Sequence, residues 1–195
     1  IYSWCYYDHV QKLNVFVDTG AIERVEPAGV RMQDGTLHEL DVLVLATGFR
    51  ADRFIRPASV LGRNGKTLDD AWSVRPTAFN AVTLPDFPNF FMLNGPTGPV
   101  GNFSLIDIAE AQWKYVDQLI ERLRAGNARA VEPTHEAMAD YEEKRITAAK
   151  KTIFGSGCTS WYLDDTGVPA SWPWSYQAFV DAMAKPNFED YRFAA

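Results

Sequence analysis

The chain has 195 residues and a net charge of −6, with 19 Lys and Arg set against 25 Asp and Glu, and its sequence pI is near 5.1. This acidic balance, with no cluster of basic residues to neutralise phosphates, argues against a nucleic-acid partner. No apolar run approaches the ~18 residues that a membrane span needs, and the three His show no metal-ligand spacing with one another or with a cysteine.

Cys5 and Cys158 are too few and too far apart for a disulfide scaffold, so a reducing cytoplasm is the expected compartment. The chain opens Ile1-Tyr2-Ser3-Trp4-Cys5, without an initiating Met or an apolar targeting region, and reads as beginning mid-chain. Apolar residues are 47% of the total and aromatics 13%. Both figures suit either a large packed interior or a pocket for a planar ligand.

In chain order, Asn14 to Asp18 is a short β-rich run and Ala21 to Glu26 a second, followed by a Pro27-Ala28-Gly29 turn. Val30 to Met32 and Leu37 to Leu40 flank Asp34-Gly35, a strong hairpin signal. Asp41 to Gly48 is almost continuously apolar, the pattern of a strand covered on both faces of a parallel sheet. Residues 49–88 form a long connection, with a short helix predicted near Leu68 to Trp72 and Asp69-Asp70 at its start.

Phe90 to Leu93 is a second apolar run and predicts a strand ending at Asn94-Gly95-Pro96. A glycine-rich loop, Thr97 to Phe103, leads to a long amphipathic helix. Leu105, Ile108, Val116, Leu119 and Leu123 recur at helical spacing, Ser104 with Asp107 resembles a cap, and Gly126 stops the run. A second helix is expected over about 134–154, its charges Glu142-Glu143-Lys144-Arg145 reading as a solvated face. The tail is aromatic and turn-rich, with Asp164-Asp165 in a turn.

The strand–loop–helix order at 90–104 has chemical meaning. A helix N-terminus offers unpaired N–H groups and partial positive charge, and it attracts an anion or electron-rich oxygen. An ordinary strand-to-helix turn explains the same residues. No Gly-x-Gly-x-x-Gly or Walker-type loop occurs, so this chain does not hold a dinucleotide completely. No side chain presents a nucleophile-elbow or acid–base pattern, and no catalytic residue is assigned.

Several segments together resemble the class B flavoprotein monooxygenases, which include Baeyer–Villiger monooxygenases and flavin-containing N- and S-oxygenases. Asp41-Val42-Leu43-Val44-Leu45-Ala46-Thr47-Gly48-Phe49 is similar to that family's "ATG" motif, and Phe87-Pro88-Asn89-Phe90-Phe91-Met92-Leu93-Asn94-Gly95-Pro96 to its "FPNLFxxxGP" stretch. Gly101-Asn102-Phe103-Ser104 stands before the long helix as in the family, and Gly157-Cys158-Thr159-Ser160-Trp161-Tyr162 resembles the "GCxSWY" element of the Baeyer–Villiger branch.

The resemblance implies an α/β fold: the C-terminal part of a flavoprotein with two dinucleotide-binding domains, bearing a small antiparallel β excursion and two long helices. Residues 1–46 would close the NADP-binding domain, and residues 47–195 would form the C-terminal part of the FAD-binding domain. Thr47, Gly48, Gly95, Pro96, Gly101, Asn102 and Ser104 would approach FAD, with Thr97, Gly98 and Pro99 on the substrate side. Thr97-Gly98-Pro99-Val100 departs from commoner versions of this loop.

The implied activity uses NADPH, FAD and O2 to place one oxygen atom in a small organic substrate through a flavin C4a-(hydro)peroxide. Baeyer–Villiger oxidation of a ketone is the leading reaction, with N- or S-oxygenation as the alternative. The glycine fingerprints and the catalytic arginine of the family belong to an N-terminal half not represented here, so the isolated chain is expected to be inactive. A non-catalytic fragment needing a partner chain is a second reading, and a disulfide-reductase-type flavoprotein a third.

Overall fold

The computed structural model describes residues 4–48, 53–101, 103–126, 128–157, 162–164 and 166–195. They fall into two compact units, Ile1–Phe49 and Arg50–Ala195.

In the first unit, α1 (Tyr6–Val10) precedes an antiparallel meander of β1 (Ile22–Glu26), β2 (Gly29–Met32) and β3 (Leu37–Glu39), in the order β1-β2-β3. Both predicted turns form. At the first, Gly29 has φ +155°, and a Cβ there would lie 1.9 Å from the His38 carbonyl oxygen, so only glycine fits. At the second, the Asp34 carboxylate accepts from Thr36 N at 2.9 Å, and Gly35 takes φ +90°.

Two predicted strands of this unit are absent. Asn14 to Asp18 is exposed and irregular. Asp41 to Gly48 forms no strand either, and its apolar side chains, Val42 to Leu45, are exposed. A strand exists only through its ladder. β1 to β3 pair with each other, and the backbone of residues 41–48 has no ladder partner among the described residues.

The second unit is organised by α3 (Leu105–Ala125), which follows a short α2 (Leu68–Ala71). The cap and stop of α3 are as predicted: Ser104 Oγ accepts from Asp107 N at 3.3 Å, and Gly126 ends the helix. α2 starts with a reciprocal Thr67–Asp70 capping box. β4 (Ala130–Pro133), α4 (His135–Ala149), α5 (Tyr176–Ala184) and β5 (Tyr191–Ala194) complete the unit, with β4 and β5 paired antiparallel.

The apolar face of α3 (Ile108, Tyr115, Val116 and Leu119) packs with Phe79, Val131, Phe179 and Tyr191. Each such fully buried side chain contributes about 1.5–3 kcal/mol of burial free energy. A smaller core gathers Leu68, Trp72, Leu84, Phe87 and Met92.

Three expectations are corrected here. Phe90 to Leu93 is not a strand: Asn89 (φ +59°) and Asn94 (φ +52°) bracket it in left-handed conformations, and Met92 N donates to Val82 O instead of to a ladder. α4 stops at Ala149, where the ladder tightens into turns: Lys151 N and Thr152 N donate to carbonyls three residues back, and the Thr152 hydroxyl also donates to Ala149 O. The tail also contains α5, capped by Ser175, and β5, neither of which its aromatic, turn-rich composition announced.

Candidate functional site

The loop from Asn94 to Gly101 is held from beneath by Gln112, a fully buried residue of α3. Its Oε1 accepts from Asn94 N at 2.6 Å, and its Nε2 donates to Ala81 O at 3.3 Å. Gly95 passes so close to the same carbonyl that a Cβ would meet it at 2.4 Å. The missing side chain at Gly95 is therefore used in packing the loop onto Ala81.

Thr97 takes φ +64°, a costly conformation for a β-branched residue, and is 2% exposed. Its hydroxyl donates to Pro96 O at 2.6 Å. The Tyr141 hydroxyl lies near it but forms no hydrogen bond of ordinary geometry, and burial raises the Tyr141 phenol well above its usual range. Tyr141 is thus a neutral group under the loop.

A mostly apolar cavity of about 290 Å³ opens beside this loop. Gly95, Thr97, Gly98, Pro99, Val100 and Leu105 form one side, while Phe54, Pro76, Tyr162, Leu163 and Ala170 contribute others. Arg75, Asp164 and Asn94 are its polar members. A roomier recess of about 400 Å³ lies at Arg53, Arg56, Ser59 and Asp69. It is away from the glycine loop, and Arg56 is committed to Asp69. The smaller, apolar cavity gathers the sequence-predicted residues and is the candidate site.

The structure brings Gly95, Thr97, Gly98 and Pro99 to the cavity wall, with Pro96 buried behind them. Gly101 is exposed at φ +83°, and a Cβ there would lie 3.9 Å from the Tyr162 hydroxyl. Ser104 is exposed and its hydroxyl serves as the α3 cap. Asn102 lies outside the described residues, as do residues 158–161 of the "GCxSWY"-like element. Thr47 and Gly48 belong to the first unit and are exposed there.

The tip of α3 is open. Leu105 and Ile106 are 55% and 72% exposed, and their N–H groups have no acceptor among the described residues. They are two of the donors that every helix start leaves unsatisfied.

One wall of the cavity is tied down by buried charge. Arg75 donates to Asp164 at 2.8 Å, and Asp164 also accepts from Thr166 and Val168. Burial pushes the Asp164 carboxyl upward, but the bonds from Thr166, Val168 and Arg75 outweigh it, leaving it below the usual carboxylate range.

Behind this pair, Glu142 accepts two bonds from Arg145, at 2.6 and 2.9 Å, and lies 3.9 Å from Arg75. Arg145 is fully buried, which overturns the reading of Glu142 and Arg145 as a solvated face. The available signal was positional: Tyr141, Arg145 and Ala149 form one buried stripe at i, i+4, i+8. Gln112 was missed likewise, although it sits on the same helical face as Ile108, Tyr115 and Val116.

Among the described residues no group of three His, Cys, Asp or Glu could hold a metal ion, and no helix is long and apolar enough to cross a membrane.

No family model matches the chain. It is 40% identical, over all its length, to an uncharacterized monooxygenase of Mycobacterium tuberculosis, of which it covers 40%. It is 31% identical to an FAD-binding monooxygenase of Aspergillus niger (95% of this chain, 31% of the relative) and 30% identical to a Baeyer-Villiger monooxygenase of Streptomyces coelicolor (97% and 37%). The crystal structure of cyclohexanone monooxygenase from Rhodococcus sp. Phi1 bound to NADP+ matches 98% of the chain with a TM-score of 0.83 at 31% identity, using 38% of its own length. The chain thus spans between about a third and two fifths of the length of these relatives.

In sequence and in fold the chain is similar to the C-terminal part of FAD-binding monooxygenases, and its fold is α/β. Within that class the chain is similar to the Baeyer–Villiger enzymes.

Proposed function

We propose that this chain forms the C-terminal share of the flavin and substrate site of an FAD- and NADPH-dependent monooxygenase, one that places an oxygen atom from O2 into a ketone. The carrying observation is the convergence of a helix start and a buried glycine–proline loop on one apolar cavity. This reading assigns residues 1–46 to the NADP-binding domain and 47–195 to the FAD-binding domain. It places Thr47, Gly48, Gly95, Pro96, Gly101, Asn102 and Ser104 toward FAD, with Thr97, Gly98 and Pro99 toward the substrate.

The residues present fit a flavin. The free N–H groups of Leu105 and Ile106 suit the electron-rich edge of its ring, and residues 95–99 expose no long side chain where a flat ring would pass. A bound flavin would supply the redox chemistry, with NADPH as the hydride source and O2 as the oxidant. The chain's own residues bind, orient and exclude water. Proline and aliphatic side chains keep the cavity dry, Gln112 fixes the loop, and Arg75 with Asp164 closes one wall without adding net charge.

The groups that would complete both cofactor sites correspond to the three fifths of the relatives lying outside the match. The test therefore joins this chain to the N-terminal part of the M. tuberculosis relative. FAD retained through gel filtration and ketone-dependent NADPH oxidation support the proposal. A fusion that folds but holds no flavin sinks it, and oxygenation of amines or sulfides but not ketones moves it to the N/S-oxygenase branch.

A further inference from the structure

The fully buried guanidinium of Arg145 uses each of its three nitrogens differently from a surface arginine. Nε and one terminal nitrogen grip Glu142, while the other terminal nitrogen donates to the Pro169 carbonyl at 2.8 Å. Pro169 belongs to the segment 162–170, which folds on itself through Ala170 N to Tyr162 O at 2.7 Å and Asp164 N to Val168 O at 2.9 Å. Tyr162, Leu163, Asp164 and Ala170 of this segment line the cavity. Glu142 also faces Arg75, which holds Asp164 at the other end of the segment.

We infer that Arg145 is a positioning residue that sets the shape of the substrate cavity by holding its 162–170 wall against α4. The inference rests on the monooxygenase reading for the identity of the ligand, but not for the geometry. A buried ion pair adds little net stability, because desolvation offsets the attraction. Its effect is directional instead: a planar fork with fixed donor angles places one carbonyl and one carboxylate relative to each other. Lysine keeps the charge but cannot span both. Two residues beyond the wall, Trp172 N donates to Gly98 O at 3.0 Å, so displacing the wall pulls on the glycine loop and changes the cavity on two sides.

The test uses the chain and the NADPH-oxidising fusion in parallel, with Arg145→Lys as the variant. In the chain, amide hydrogen exchange at Val168, Ala170 and Trp172 is expected to accelerate about tenfold, while Val116 and Leu119 in α3 are unchanged. In the fusion, the KM for ketone rises about tenfold with kcat within about twofold, as expected when only binding geometry is lost. Should Arg145→Lys fail to fold, Glu142→Gln, which keeps the volume and one acceptor, is expected to show the same pattern at smaller amplitude.

Equal acceleration at all five amides would mean a merely structural role and would overturn the inference. So would an unchanged wall, or a parallel loss of kcat with KM unaltered. If the unmodified fusion oxygenates no ketone, amine or sulfide, the monooxygenase reading fails on its own, and the exchange experiment still decides whether Arg145 holds the wall.

Discussion

Thr97 is the β-branched residue of the site held at positive φ. A β-branched side chain at φ +64° costs on the order of 1–3 kcal/mol, offset by the bond of its hydroxyl to Pro96 O and by complete burial. Thr97→Gly removes both strain and hydroxyl and adds chain entropy to the unfolded state, so urea denaturation should find it within about 1 kcal/mol of the parent. Thr97→Val keeps the strain and loses only the hydrogen bond, and should be less stable by about 1–2 kcal/mol. Val matching the parent while Gly collapses would show that the hydroxyl is idle. Asp164 makes a pH-dependent contribution. Its folded pKa is depressed, so its stabilisation is complete above the ordinary value of 3.8 and is lost as pH falls through the lower folded value. Asp164→Asn should therefore be less stable than the parent at pH 7, and the difference should shrink as pH drops from about 4 to 2. A gap that is constant over that range would assign the effect to packing.

The elements follow from sequence to the extent that their signals are local. The cap of α3 is one residue, its stop another, and its buried face a 3.6-residue period, so Ser104, Gly126 and the face of Ile108, Val116 and Leu119 were all legible. Replacing Ser104 by Ala should cost about 1 kcal/mol in thermal or urea unfolding, the usual value of an N-cap. What escaped depends on partners distant in sequence. Asp41 to Gly48 has the composition of a buried strand, but composition cannot supply neighbouring strands, and the segment is exposed without a ladder. Arg145 and Gln112 look like solvent residues until the helix face is drawn, because Gln112's partners (Asn94 N, Ala81 O) and one of Arg145's (Pro169 O) lie 18 to 31 residues away. The cavity was legible only as a loop, Gly95 to Pro99, and not as a volume; its opposite wall at Tyr162 to Ala170 joins it through the fold. Gln112 makes the sharpest test at this scale. Gln112→Leu fills the same space but strands Asn94 N and Ala81 O without partners. Two buried groups left unsatisfied should lower stability by about 2–4 kcal/mol, and a loss under 1 kcal/mol would show that the loop is held by something else.

Across the whole molecule, apolar surface is left where a folded protein ordinarily covers it. Val42, Val44 and Leu45 in the first unit are each more than 70% exposed, and around the start of α3 Leu93, Leu105, Ile106 and Trp113 are each about half exposed or more. Surface of this kind marks an interaction site or an aggregation liability. Either way, the chain by itself should bind the hydrophobic dye ANS and scatter light as its concentration rises. The two meanings separate in a pair of substitutions on the exposed face of α3, Ile106→Lys and Trp113→Lys. If the face is only a liability, both variants improve the chain alone and leave the fusion with the N-terminal part of a relative untouched. If the face is covered by the rest of a monooxygenase, as proposed, the signs oppose: the chain alone becomes more soluble, while the fusion loses flavin more readily and unfolds at lower temperature. A buried Ile or Trp exchanged for an unpaired charge costs several kcal/mol, enough to move the melting temperature of the fusion by several degrees. Equal behaviour of parent and variant fusions would mean that this helix face stays in water in the complete protein, and the flavin domain would then have to be assembled around another surface of this chain.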